Sequence, residues 1–380
     1  MASNTSHNSL PTVHTDSQSA EFVPLEIFVT NDQRRIAEII IDLSFSFIVA
    51  CIGIVTNILV VIVFSKQGFK DSVSVSMTII ACWDFFKCVA GVLQRLPGPM
   101  SLVSAALAKS WSNISAIEFN YFLSFSTYVA SVLAAYVSVE RCLCVSMPFK
   151  VKELITPKVA LFFGLLISAV VFGCFMVMFF VYDIVWIFSD HFNATIAVYV
   201  NNVFFSRNPG PLFQYYNLSG IIWPTSSLGI IAGSTAIIAY HLRKSSQFRL
   251  KSASAGQTWD SNIECFKETK AKFSKSTGQQ NQMSARDRQV VKMLLVVMCV
   301  NLVMLTPRIV HYTVKYFIYE FYFLRTYHNI FICMTYFLAA FDLIDAAIPL
   351  FIFYPMSTSF RTTFNDIFRC VCVTNKAVPN

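Results

Sequence analysis

The sequence predicts an all-α membrane protein: a seven-transmembrane-helix bundle with a short amphipathic eighth helix. Three observations carry that prediction. Of the 380 residues 55% are hydrophobic and only 13% are charged, where an ordinary soluble domain carries about 25% charged residues. The apolar residues fall in seven blocks of membrane-crossing length. Lys and Arg gather on one side of those blocks. The composition argues against a soluble enzyme, and 37 Phe with 15 Tyr exclude disorder for most of the chain.

The blocks run from Ile39 to Phe64, Ser74 to Leu96, Ile114 to Val145, Val159 to Tyr182, Tyr215 to Tyr240, Val290 to Phe317 and Asn329 to Tyr354. Each is long enough to cross about 30 Å of hydrocarbon at roughly 1.5 Å per residue. Barrel strands would alternate with period two over about ten residues. These blocks are apolar all round, so they read as helices whose backbone groups bond internally.

Orientation follows from the cations. Twenty Lys and Arg fall on one side, from Lys66 through Lys150 and the 242–288 stretch to Lys376, and seven on the other. Basic loops stay in the cytoplasm, so the amino terminus is expected outside at a plasma membrane. Residues 1–38 then form an extracellular tail, 39–355 the seven-helix transmembrane domain and 356–380 the eighth helix and cytoplasmic tail. Within the domain, 242–288 is rich in Ser, Lys, Gln and Gly and reads as a mobile third cytoplasmic loop. Residues 1–30 lack an apolar signal-peptide core, so the first helix is expected to act as the anchor. The N-x-S/T sequons at Asn4, Asn113, Asn193 and Asn217 all fall on the side assigned outside and are candidate glycosylation sites. None of the eleven Cys lies in a segment assigned outside, and no Cys/His spacing suggests a metal.

Local motifs are ordered along these helices. Gly53 and Asn57 form G-x-x-x-N, Asp84 follows Asn57 by 27 residues, and Glu140-Arg141-Cys142 ends the third helix with Pro148 seven residues after Arg141. Pro307 sits in the sixth helix, Phe360-Arg361 opens the amphipathic segment, and Cys370 and Cys372 follow it. This series resembles the rhodopsin-like (class A) G-protein-coupled receptors over Ile39 to Cys372. The run from Glu140 to Lys152, with that from Phe351 to Arg361, looks most like the chemosensory and peptide-type receptors of gastropod molluscs.

The resemblance implies a receptor that binds an extracellular chemosensory small molecule or peptide and activates a heterotrimeric G protein. An arrestin, a receptor kinase and membrane lipids are the further partners it implies, with no cofactor and no nucleic acid. It gives Glu140, Arg141, Pro148, Pro307, Phe353 and Tyr354 to the coupling switch and makes Cys370 and Cys372 palmitoylation candidates. Three departures stand out. Ala116 occupies the position of the usual third-helix cysteine, and residues 183–214 contain no Cys. Leu305 replaces the sixth-helix Trp. Pro349, Leu350 and Phe353 stand on the N-P-x-x-Y pattern, with Tyr354 beside it.

Charged groups inside a membrane face the bundle and pair. Asp84 and Lys87 share a helix face, as do Asp342 and Asp345, and with Asn57 they form an expected buried polar network on the second and seventh helices. A bland reading remains in which Lys87 only neutralises the acids. Arg141 can pair with Glu140 at rest and be released toward a G protein, or simply reach for the headgroups. Ligand-binding candidates at the outer halves are Gln94, Arg95, Glu118, Ser124, Thr127, Tyr128, Arg308, His311 and Tyr312, with Lys315 beyond them. Cations outnumber Glu118, so an acidic ligand group is favoured. Tyr312 and His311 read equally as interface anchors. Leu123 replaces the aspartate of amine receptors, and the seventh helix has no Lys for retinal. No catalytic motif is present. A channel or transporter is the alternative, and it would need a polar stripe through the membrane.

Overall fold

The computed structural model describes residues 26–69, 71–147, 155–257 and 285–374. Among the described residues seven helices are long and apolar enough to cross a membrane. They are α1 (Asn31–Gln67), α2 (Ser72–Gln94), α3 (Ala105–Ser146), α4 (Pro157–Phe175), α5 (Pro209–Gln257), α6 (Ala285–Phe317) and α7 (His328–Met356). An amphipathic α8 follows at Thr358–Thr374. All seven apolar blocks are therefore helical, but the fourth is α-helical only to Phe175: a 3-10 helix follows at Met176–Phe180, and Tyr182, expected to end the helix, opens a strand. The 242–288 stretch begins as helix, since α5 runs on to Gln257. Residues 258–284 of it lie outside the described residues, as do Asn4 and Pro148 and the side chains of Cys370 and Cys372.

Capping sets several boundaries. Thr30 and Gln33 form a reciprocal capping box at the start of α1. The Ser104 side chain accepts from Leu107 N at 3.3 Å, so α3 begins nine residues before the apolar block does. In α1 the stretch Glu38–Ser46 is a π-helix. Ser44 Oγ donates to the carbonyl of Ile39 at 2.7 Å and Ser46 Oγ to that of Ile41 at 2.8 Å, each five residues back. α7 breaks at Ile348, between Ala347 and Pro349, because proline offers no N–H and its ring displaces the preceding turn.

Between α4 and α5 lies an element the apolar blocks do not reveal. β1 (Tyr182–Ser189) pairs antiparallel with β2 (Ala194–Asn201), in a register running from Tyr182 opposite Asn201 to Ser189 opposite Ala194. Asn193 closes the turn with a positive φ of 45°, which asparagine tolerates better than most residues. The hairpin packs on α3.

Lipid tails give helices no hydrophobic reason to associate, so close packing of small residues does the work. Gly53 on α1 meets Cys88 on α2, where an added Cβ would lie 2.4 Å from the sulfur. Gly91 on α2 meets Leu343 on α7, and Ala50 and Ala346 complete that seam. At the other end of the bundle, Phe360 of α8 packs edge-on against Phe64 of α1, at 5.6 Å between ring centroids, and lies 5.7 Å from Phe353 of α7. Phe360 and Phe364 share a helix face, which explains why α8 lies against the bundle. That end is called here the α8 end, and the opposite one the hairpin end.

Candidate functional site

Three groups of polar side chains are arranged along the bundle. The first is at the α8 end. Arg141 pairs with Glu140, its neighbour on α3. Both are buried. Ser72, the first residue of α2, donates its hydroxyl to Glu140 and accepts from Arg141 Nη2 at 3.2 Å. Ser76 adds a longer bond to Glu140 at 3.4 Å. Ser72 and Ser76 thus tie the Glu140–Arg141 pair to α2. A second tie closes this end: Gln289 Nε2 of α6 donates to the carbonyl of Met356 on α7 at 2.7 Å. Phe353 is buried, while Tyr354 points to α8, its hydroxyl 3.4 Å from Asn365 Oδ1.

The second group lies at mid-bundle. Asn57 Nδ2 donates at 2.9 Å both to Gly53 O in its own helix and to Ala346 O in α7. Lys87 Nζ is 2.8 Å from Asp84 Oδ1, and the lysine is 0% exposed. A cavity between the helices is lined by Asn57, Asp84 and Asp345 together with Ala130, Asn301 and Pro349. The expected network of Asn57, Asp84, Lys87, Asp342 and Asp345 is thus only partly assembled. Asp342 faces α6 instead, and its carboxylate is paired with Arg308.

The third group lies toward the hairpin end and corrects several ligand candidates. Arg95 is consumed by an ion pair with Asp42 of α1, and its guanidinium also donates to the carbonyls of Asp42 and Gly91 at 2.8 and 2.9 Å. The π-helical turn of α1 carries Asp42 to it, a register that no sequence pattern announces. Arg308 is likewise paired, through Nη2, with Asp342, its guanidinium carbon lies 5.1 Å from the centre of the Tyr128 ring, and its Nε and Nη1 are buried without a hydrogen-bond partner. Thr127 Oγ1 donates to Leu123 O at 3.0 Å. Ser124 is buried, and Glu118 is half-buried with no ion pair among the described residues. Gln94 Oε1 and His311 Nδ1 are buried without a hydrogen-bond partner.

What the residues do bring together is an aromatic chamber around Lys315. Its ammonium lies 4.5 Å from the centre of the Tyr216 ring, 4.8 Å from Tyr322, 5.1 Å from Tyr312 and 6.0 Å from Phe213. The hydroxyls of Tyr216 and Tyr312 are 3.0 Å apart. Tyr312 fits there because α5 has glycine opposite it: a Cβ on Gly220 would lie 2.3 Å from the ring. Burial pushes the phenol of Tyr322, in the connection between α6 and α7, up to about 12, so it stays a hydroxyl donor. Tyr312 was a sequence candidate, but Tyr216 and Tyr322 were not. Single tyrosines in different segments carry no spacing signal.

The hairpin is fastened to α3 by side-chain hydrogen bonds. Ser110 Oγ of α3 accepts from Ala197 N at 3.2 Å, and Asn113 Nδ2 donates to Ala197 O at 2.8 Å. Asn113 is therefore engaged with β2 rather than presented as a glycan acceptor. Asn217 lies within α5 at 1% exposure, which removes it as an acceptor. Asn193 is exposed at the hairpin turn.

No curated protein matches the chain. Residues 44–265 match the sequence model of the family described as Serpentine type 7TM GPCR chemoreceptor Srw. The description is of a seven-helix membrane receptor for chemicals acting through G proteins, not of an enzyme. It supports the chemosensory part of the resemblance and gives none to the narrower gastropod form. The match spans more than half of the sequence, and the chain belongs to the serpentine 7TM GPCR chemoreceptor family Srw.

Proposed function

We propose that this chemoreceptor sits in the plasma membrane with its amino terminus and hairpin outside, binds a small molecule or peptide at the hairpin end, and couples to a heterotrimeric G protein at the α8 end. The observation that carries the reading is the buried Glu140–Arg141 pair, held by Ser72. A charged pair at a helix end, with a hydroxyl from the next helix closing it, is a resting arrangement that can open. Ligand binding that favours a second arrangement shifts the population toward it. In that arrangement α6, hinged at Pro307, swings away, the Gln289–Met356 bond breaks, and Arg141 is freed for the G-protein helix. Arrestin and a receptor kinase act on the same opened face in this reading.

The test is nucleotide exchange on a promiscuous Gα subunit in membranes containing the full-length receptor. Arg141→Ala is expected to abolish or greatly reduce receptor-dependent exchange at unchanged surface expression. Normal exchange by that variant removes the coupling claim.

A further inference from the structure

We propose that Lys315 and the tyrosine hydroxyls around it form a subsite for the carboxylate of the ligand. This rests on the hairpin end being the ligand-binding end, and it names the chemistry of that end.

Five observations support it. The side chain is 6% exposed and has no ion pair among the described residues, whereas Arg95 and Arg308 at the same end are each paired with an aspartate. The nearest acid along the chain, Glu320, accepts from Thr326 Oγ1 at 2.6 Å. Four aromatic rings lie within 4.5–6.0 Å of the ammonium; their faces attract a cation but cannot receive its protons as an oxygen would. Tyr322 and one of the hydrogen-bonded pair Tyr216 and Tyr312 supply O–H donors near the cation, and a carboxylate accepts from both kinds of donor. One helical turn away on the same face, His311 Nδ1 is buried without a hydrogen-bond partner. A buried ammonium and several donors, with no acceptor anion, is the complement of a carboxylate. The surrounding rings suit an acid with an apolar or aromatic body. Lys315, Tyr312 and Tyr322 lie beyond residues 44–265, so the family match does not reach the cation of this chamber.

The carboxylate could belong to a small organic acid or to the free end of a peptide, and matched probes separate the two. Thermal stability of the purified full-length receptor is measured with benzoate against benzamide, and with Gly-Gly-Phe against its carboxyl-terminal amide. The expected result is stabilisation by at least one acid, with its amide about 10–100-fold weaker, the worth of a charge-assisted hydrogen bond. Benzoate alone assigns a small acid, and the peptide acid assigns a chain terminus. Lys315→Gln should abolish the difference between acid and amide, and Lys315→Arg should keep most of it. Equal effects of acid and amide, no effect of either acid, or a difference that survives Lys315→Gln overturns the proposal. Nucleotide exchange with Arg141→Ala is independent of Lys315, so loss of the subsite leaves the coupling reading standing, and the reverse holds too.

Discussion

Arg308 on α6 and Asp342 on α7 form an ion pair with both side chains buried. The pair joins the helix that carries Pro307 to the helix that breaks before Pro349. Burying two charges is costly, and removing one leaves the other uncompensated, typically at about 3–5 kcal/mol. Arg308→Met and Asp342→Leu should each destabilise the receptor by roughly that amount. The double variant should recover most of the loss, since an apolar pair of similar volume is often neutral. Melting temperature in detergent reads all three. Additive losses in the double variant would mean that the two residues act separately.

Ser72 touches both members of the Glu140–Arg141 pair. A hydrogen bond to a charged group contributes about 1.5–3 kcal/mol, and this one exists only while α2 and α3 keep their present relation. Ser72→Ala should therefore raise ligand-independent nucleotide exchange by several-fold, up to roughly tenfold if about 1.4 kcal/mol of the bond is lost on opening. Basal exchange equal to wild type, at matched expression, would show that Ser72 is a bystander.

The hairpin should be indifferent to reduction. Two hydrogen bonds hold β2 to α3: Ala197 N donates to Ser110 Oγ, and Asn113 Nδ2 donates to Ala197 O. Mild reducing agent should leave the melting temperature unchanged. Ser110→Ala with Asn113→Ala should cost about 1–3 kcal/mol and speed amide hydrogen exchange in Ala194–Asn201. Loss of stability on reduction would place a disulfide in the chain.

Glycan occupancy separates the sequons by burial. Asn193→Gln should remove a glycan seen as a mobility shift, because Asn193 is exposed at the hairpin turn. Asn217→Gln should leave the shift intact, because that side chain lies inside the bundle. A shift lost with Asn217 and kept with Asn193 would reverse the assignment.

The helices were legible because each apolar block is itself the membrane-crossing unit. Glu140 and Arg141 were legible because adjacent residues must lie together wherever the helix goes. Partners across helices were not. Arg95 and Arg308 looked like free cations because Asp42 and Asp342 sit far away in sequence, on helices whose rotation is set by packing at Gly53 and Gly91. The hairpin does carry a signal in the sequence. Tyr182–Ser189 and Ala194–Asn201 are rich in β-branched and aromatic residues and are separated by a short turn. In a chain so apolar, such runs are masked by the hydropathy of their neighbours. The chamber around Lys315 draws rings from α5, α6 and the segment before α7, so only the folded chain assembles it.

Many receptors that this chain resembles hold a sodium ion beside the aspartate that Asp84 matches. A hard cation needs several oxygen ligands. Ala130 and Pro349 line the mid-bundle cavity where oxygen-bearing side chains would be required, leaving Asn57, Asp84, Asn301 and Asp345. Lys87 already places an ammonium 2.8 Å from Asp84, and the carboxylate of Asp345 lies near enough to act on the same ammonium. The lysine supplies the positive charge that an ion would supply; Asp342 lies near enough to act on it too, while forming its own ion pair with Arg308. Stability and ligand affinity of the wild type should therefore be insensitive to sodium exchanged for choline at constant ionic strength. Lys87→Met leaves two carboxylates without a cation, at a cost of about 3–5 kcal/mol. That variant should fold poorly, or recover stability as sodium rises. Melting curves against sodium concentration decide it, and a strong sodium response already present in the wild type would sink the idea.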